Sequence, residues 1–182
     1  MPKVVCVFGN SSPPPGSPDY EEARELGGRL AQAGFAVCSG GYYGAMEAVS
    51  RGAREAHGHT IGMTTPFYQL RPNSYLAEEI AVPRWQDRLF ALVERGDGYV
   101  VLKGGTGTLL ELAALWESLN KRAIPVRPCV AMRFWEPVLA SVREVECSRR
   151  GRTWQETGRG LIDLATSPEQ AVEILVQKLK GA

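Results

Sequence analysis

Apolar residues along this chain follow two rhythms that alternate almost to its end. The runs "KVVCVFG", "FAVCSGG", "HTIGMTT", "AEEIAVP", "DGYVVLKGG" and "IPVRPCVAM" are short and rich in β-branched residues, and they read as six strands. Most are unbroken stretches of apolar residues, the pattern of strands buried on both faces. Between and after them stand longer stretches with helical spacing: "PDYEEARELGGRLAQAG", "AMEAVSRGAREAHG", "WQDRLFALVERG", "TLLELAALWESLNK", "EPVLASVREV" and "SPEQAVEILVQKLKG". The first helix opens on Asp19 and its glutamates and closes at Gly34, while Ser167 and Pro168 supply an N-cap and a first helical residue for the last one. Strands alternating with helices imply a parallel sheet with helices on both faces. The expectation is one α/β domain over 1–182, with a parallel sheet of about six or seven strands. Right-handed crossovers would bring every strand C-terminus to one rim, where ligands of such sheets bind.

Composition narrows the picture without changing it. The chain has 182 residues, 44% hydrophobic and 23% charged, with a net charge of +1. That balance supplies no electrostatic argument for nucleic acid or an anionic membrane as partner. The opening "MPKVVCVFGNSS" holds an apolar run too short for a signal peptide, and no run approaches bilayer length. Cys6, Cys38, Cys129 and Cys147 are scattered with no C-x-x-C pair, and read as reduced residues, three of them in or beside strands. A cytoplasmic protein is expected. "SSPPPGSP" (11–18) reads as a stiff loop and "CSRRGRTWQETGRG" (147–160) as a basic, irregular connection.

Two glycine clusters sit at strand ends, Gly40–Gly41 and Gly104–Gly107, so the architecture places both on the ligand rim. Neither is a dinucleotide fingerprint. "GNSSPPPG" is not G-x-G-x-x-G, and "CSGG" lacks the acidic residue that would hold a ribose hydroxyl. Nor is "KGGTGT" a P-loop, because Lys103 precedes the glycines instead of following them into the helix. What remains is a strand, a glycine turn and a helix start. Bare backbone there admits close approach, first-turn N–H groups point outward, and the helix dipole favours an anion. Gly104, Gly105, Thr106, Gly107 and Thr108 suit a monophosphate, with Gly40 and Gly41 on the same rim. A ligand-free turn would use the same residues. Glu111, expected in the first helical turn, gains from the dipole alone, and Arg88 alone reads as part of a solvated helix face. His57 and His59 flank Gly58 with no third ligand in spacing, so neither metal nor cofactor is expected.

Taken together, these stretches resemble the LOG family, cytokinin riboside 5′-monophosphate phosphoribohydrolases that also carry a lysine decarboxylase label. The likeness runs from "VFGNSSPPPGSPDYEEARELGGRLAQAGFAVCSGG" through "GGYYGAMEAVSRGAREAHGHTIGMTTP" to "IPVRPCVAMRFWEPVLASV". The family signature P-G-G-x-G-T-x-x-E matches from Gly104 to Glu111, and the family's upstream arginine falls on Arg88, with Asp97 matching at the strand start. The resemblance implies a Rossmann-like fold, a homodimer, and hydrolysis of the N-glycosidic bond of a purine or cytokinin-type nucleoside 5′-monophosphate. It also implies that Arg88 and Glu111 are the catalytic pair and the glycine turns hold phosphate. A decarboxylase would need pyridoxal phosphate on a lysine, an arrangement nothing in the sequence suggests.

Four departures from the family pattern stand out. Lys103 replaces the proline, Leu89 a lysine, Leu110 a frequent glutamate, and Tyr42 and Tyr43 replace small or polar residues. They keep a second reading open: a carrier that binds a nucleotide-like ligand without turnover, as molybdenum-cofactor carrier proteins do. A purely structural or interaction domain is the third. The central helices also look richer in apolar residues than one sheet face needs, through Trp85, Phe90, Trp116 and Leu119, although core packing would use them equally well.

Overall fold

The structure, a computed structural model, describes residues 1–148 and 161–181, with the side chains of 146–148 excepted. The reading of Cys147 as a reduced thiol and of most of 147–160 as a basic connection therefore falls outside the described residues. Seven strands form one all-parallel sheet: β1 (Val4–Phe8), β2 (Ala36–Ser39), β3 (Thr60–Thr64), β4 (Glu78–Ala81), β5 (Gly98–Val101), β6 (Cys129–Met132) and β7 (Ile162–Ala165). Their order is β4-β3-β2-β1-β5-β6-β7. The helices are α1 (Pro18–Gln32), α2 (Ala45–Glu55), α3 (Trp85–Arg95), α4 (Thr106–Asn120), α5 (Glu136–Ser148) and α6 (Pro168–Lys180). All six expected strands and all six expected helices are present, and β7 adds a strand that the pattern did not single out.

Alternation inside each strand divides the core in two. Val4, Cys6 and Phe8 of β1 face Leu92 of α3, Leu112, Leu115 and Leu119 of α4 and Leu139 of α5. Val5 and Val7 face Leu26 and Leu30 of α1, Val49 of α2 and Leu175 of α6. Both faces of the sheet are thus covered, and the central strand β1 is apolar at every position. Cys6, Cys38 and Cys129 are buried and free, as expected of reduced core thiols. The outer strand β4 is built differently. Glu78, Glu79 and Ala81 are exposed, and charge on an edge strand discourages pairing with a further chain.

The chain order fixes where a site can lie. From β1 the chain winds to one side through β2, β3 and β4, then returns to place β5 on β1's other flank. The connections that leave the paired C-terminal ends of β1 and β5 therefore run to opposite faces, to α1 and α4, leaving the crevice where parallel sheets of this class bind ligands.

Candidate active site

A cavity of about 470 Å³ opens at that crevice. Gly9, Asn10 and Ser11, following β1, form one wall; Gly105, Thr106, Gly107, Thr108 and Glu111 of α4 and its lead-in form the next. Tyr42, Tyr43 and Met46 reach in from the β2–α2 connection and α2, Tyr68 and Leu70 from beyond β3, and Arg88 from α3. Backbone bonds lock these loops together: the Asn10 N–H donates to the Lys103 carbonyl (3.3 Å) and the Ala45 N–H to the Asn10 carbonyl (2.8 Å). Gly44 closes the turn at φ +63°, where a Cβ would lie 2.4 Å from the Ser11 carbonyl carbon.

The start of α4 is left open. The N-termini of α1 and α6 are closed by Ser17 and Ser167, each with a proline in the first turn beside acidic side chains, Asp19 and Glu21 in α1 and Glu169 in α6. Gly105, the N-cap of α4, offers no side-chain hydrogen bond, and the first turn carries no acidic residue. The first N–H groups of a helix have no partner within it, so those of α4 are available at the cavity wall. Neither packing nor a positive φ demands glycine at 105 or 107, where an added Cβ would meet nothing within 4 Å. A side chain at either would stand in the open space of the cavity. Gly104 is different: a Cβ there would come within 2.1 Å of the Thr108 hydroxyl oxygen, which is buried against it.

Arg88 is buried, 7% exposed, and no carboxylate forms an ion pair with it among the described residues. Its Nε donates to the Met63 carbonyl (2.5 Å) and its Nη2 to the Gly40 carbonyl (2.9 Å), while the guanidinium carbon lies 5.6 Å and 5.7 Å from the ring centres of Tyr42 and Tyr68. Carbonyl dipoles and ring faces hold the cation without neutralising it. A guanidinium has five N–H donors, so several remain for a ligand. Glu111 faces the same space. Burial in the cavity wall pushes its carboxyl up from 4.5 to about 7, and the Arg88 guanidinium works against that rise.

The expected site residues separate into two groups. Arg88, Glu111, Gly105, Thr106, Gly107 and Thr108 come together around the cavity. Gly40, Gly41 and Gly104 are outside its lining, although all three lie on the rim. Gly40 serves Arg88 instead: it presents its carbonyl, and a Cβ there would sit 2.2 Å from Nη2. Glu111 is not in the first turn. The helix begins at Thr106, two residues before the run that showed helical periodicity, which puts Glu111 in the second turn. Its carboxyl is accordingly governed by burial and Arg88. Lys103 turns away to pair with Asp19 at 2.9 Å. Of the four apolar residues on the central helices, Trp116 and Leu119 are core, whereas Phe90 is 52% exposed.

Asn10, Ser11, Tyr68 and Leu70 escaped the sequence reading. The signal for the first two was available: "GNSS" follows the first strand, and the first strand of such a sheet borders the crevice. Nothing in the local pattern marks Tyr68 and Leu70, which are brought in by a short 3-10 turn, Pro66–Tyr68.

This is a parallel α/β sheet whose switch point carries one cavity lined by an uncapped helix start, a buried arginine and a glutamate. More particularly, the chain belongs to the SLOG cluster4 family, whose model matches residues 2–144. It is 35% identical over 121 residues to the pyrimidine/purine nucleotide 5′-monophosphate nucleosidase of Escherichia coli K12, a match covering 62% of this chain and 26% of that protein. It is 36% identical over 100 residues to the cytokinin riboside 5′-monophosphate phosphoribohydrolase of Mycobacterium tuberculosis H37Rv, covering 53% of each. The chain thus spans about a quarter and about half of the length of these two relatives. Among solved structures, the molybdenum cofactor binding protein of Rippkaea orientalis superposes with a TM-score of 0.77 over 98% of both chains at 22% identity, a likeness of fold.

Proposed function

We propose that the chain hydrolyses the N-glycosidic bond of a nucleoside 5′-monophosphate, releasing free base and ribose 5-phosphate. One observation carries the reading: a single cavity joins the open N-terminus of α4, an unneutralised buried Arg88 and the raised carboxyl of Glu111. The relatives' names support the same bond and the same phosphorylated substrate class. In this reading the first-turn N–H groups of α4, with the Thr106 hydroxyl, hold the 5′-phosphate. Glu111, one helical turn further in, takes a proton from water as the oxygen attacks C1′. While it is still ionised the carboxylate stabilises the positive charge that develops on the ribose. The electron pair of the C1′–N bond leaves with the base, which then takes up the proton that Glu111 removed from water. Arg88 lies over the ends of β2 and β3, toward the tyrosine-lined side of the cavity, where its free N–H groups meet the departing base or a ribose oxygen.

The carrier reading rested on departures from the family, and three of these, Lys103, Leu89 and Leu110, lie outside the cavity. Lys103 is engaged by Asp19. Incubation with AMP and related monophosphates, with free base followed by chromatography, tests the hydrolase reading. Release above that of a Glu111→Ala control is expected; its absence, with ligand-dependent stabilisation only, would favour a carrier.

The same proposal covers the setting of the enzyme. One domain over 1–182 is supported by the single continuous sheet, and a cytoplasmic location by the three buried free cysteines. A homodimer is supported by Phe90, Leu109 and Leu110, which leave apolar side chains exposed on α3 and α4.

A further inference from the structure

Tyr42 is one of the residues that set this chain apart from the LOG pattern, and its surroundings show what the ring is for. It is 3% exposed. Its hydroxyl donates to the Thr65 carbonyl and accepts from the Thr65 N–H, both at 2.8 Å. The ring cannot turn without losing both bonds. Asn73 adds a third tie, its Nδ2 donating to the Tyr42 carbonyl at 3.0 Å. Tyr68 stands edge-on to Tyr42, ring centres 5.6 Å apart at 89°. Its hydroxyl accepts from the Trp85 indole N–H at 2.5 Å. Trp85 is the first residue of α3 and lies three positions before Arg88, so one helix supplies both the guanidinium and the donor that fixes its aromatic neighbour.

We propose that Tyr42 and Tyr68 are positioning residues that hold the Arg88 guanidinium fixed at the cavity wall, facing Glu111. The inference rests on the reading of Arg88 and Glu111 as the working pair. An arginine tied only by two carbonyls could still swing about its long side chain, and two fixed ring faces remove that freedom. The groups around the guanidinium are then the two phenol rings and the carbonyls of Met63 and Gly40, and the charge acting on Glu111 is Arg88 alone. Lys103, the next cation along the chain, is turned to Asp19. Anything that loosens Arg88 must be felt at Glu111 as a lost positive charge.

The test uses the whole chain with Tyr68→Leu, Tyr42→Leu, Arg88→Gln and the conservative Tyr68→Phe. Glu111 is titrated directly by carbon-13 NMR of its carboxyl, and AMP hydrolysis is followed in parallel. Tyr68 is partly exposed, so its leucine variant is expected to keep the fold even if Tyr42→Leu does not. The expected result is an upward move of the Glu111 midpoint in Tyr68→Leu, in the direction of Arg88→Gln, with kcat lower by about 10-fold or more and a smaller change in KM. Tyr68→Phe, which keeps the ring but loses the bond from Trp85, should move the midpoint less than Tyr68→Leu. If Arg88→Gln raises the midpoint while Tyr68→Leu leaves it in place, the tyrosines do not position Arg88. The titration needs no turnover. A shifted midpoint without hydrolysis would keep the positioning role and sink the hydrolase reading; hydrolysis with an unmoved midpoint would do the reverse.

Discussion

Replacing Glu111 with glutamine should stabilise the protein at alkaline pH while removing its proposed activity. The carboxyl titrates near 7 in the folded chain against an ordinary value of 4.5, because burial penalises its charged form and Arg88 recovers only part of the loss. Below pH 4.5 both states hold the proton and the site costs nothing. Between 4.5 and about 7 only the folded chain stays protonated, so stability falls as pH rises; above 7 the loss is complete. At about 1.4 kcal/mol per pH unit, the full cost is about 3 kcal/mol. That figure is an upper one, since the cavity admits water to a partly exposed side chain. Glutamine keeps the shape without the charge. Urea denaturation at pH 8 should therefore show the variant more stable by up to about 3 kcal/mol, and at pH 5 by less than about 1 kcal/mol. For a chain of this size the alkaline gain corresponds to roughly 6–12 °C in Tm. Equal stabilisation at both pH values, or a less stable variant at pH 8, would refute the reasoning.

Lys103→Ala should change stability by no more than about 0.5 kcal/mol, because its ion pair with Asp19 is solvent-exposed. AMP hydrolysis should survive it largely intact; a loss of 100-fold would return Lys103 to the site. Gly52→Ala should cost about 3 kcal/mol by thermal denaturation, since an added Cβ would lie 1.8 Å from the Arg24 carbonyl oxygen and force α2 away from α1. Phe90→Glu, at a side chain 52% exposed on α3, should convert the proposed dimer to monomer in sedimentation velocity. A dimer unaffected by that charge would move the interface elsewhere.

The sheet and its helices were legible because their signal is repetitive. Valine-rich runs such as "VVCVF" and spaced helix residues such as Leu112, Leu115 and Leu119 each repeat one simple periodicity. The strand β7 was less visible. "LIDLA" is interrupted by Asp163, whose place on an outer strand lets it pair with Lys178 at the surface. The open start of α4 was legible too, from "KGGTGT" ahead of a helical run, although a ligand-free turn would use the same residues. What the pattern did not carry is tertiary. Glu111 is an ordinary helix carboxylate until the cavity wall desolvates it, and Arg88 an ordinary helix arginine until Met63, Gly40, Tyr42 and Tyr68 enclose it. Those partners come from three other segments of the chain, and only the fold assembles them.

The central claim is that Glu111, beside Arg88, drives hydrolysis of a nucleoside monophosphate. It is tested most directly by quantifying base and ribose 5-phosphate released from AMP between pH 5.5 and 9, for the unaltered protein and Glu111→Gln. The account predicts equal amounts of the two products and a rate that rises to a plateau with a midpoint near 7, the value at which Glu111 ionises. The glutamine variant should be slower by about 100-fold or more at every pH. No product from the unaltered protein, or undiminished release by Glu111→Gln, would contradict it.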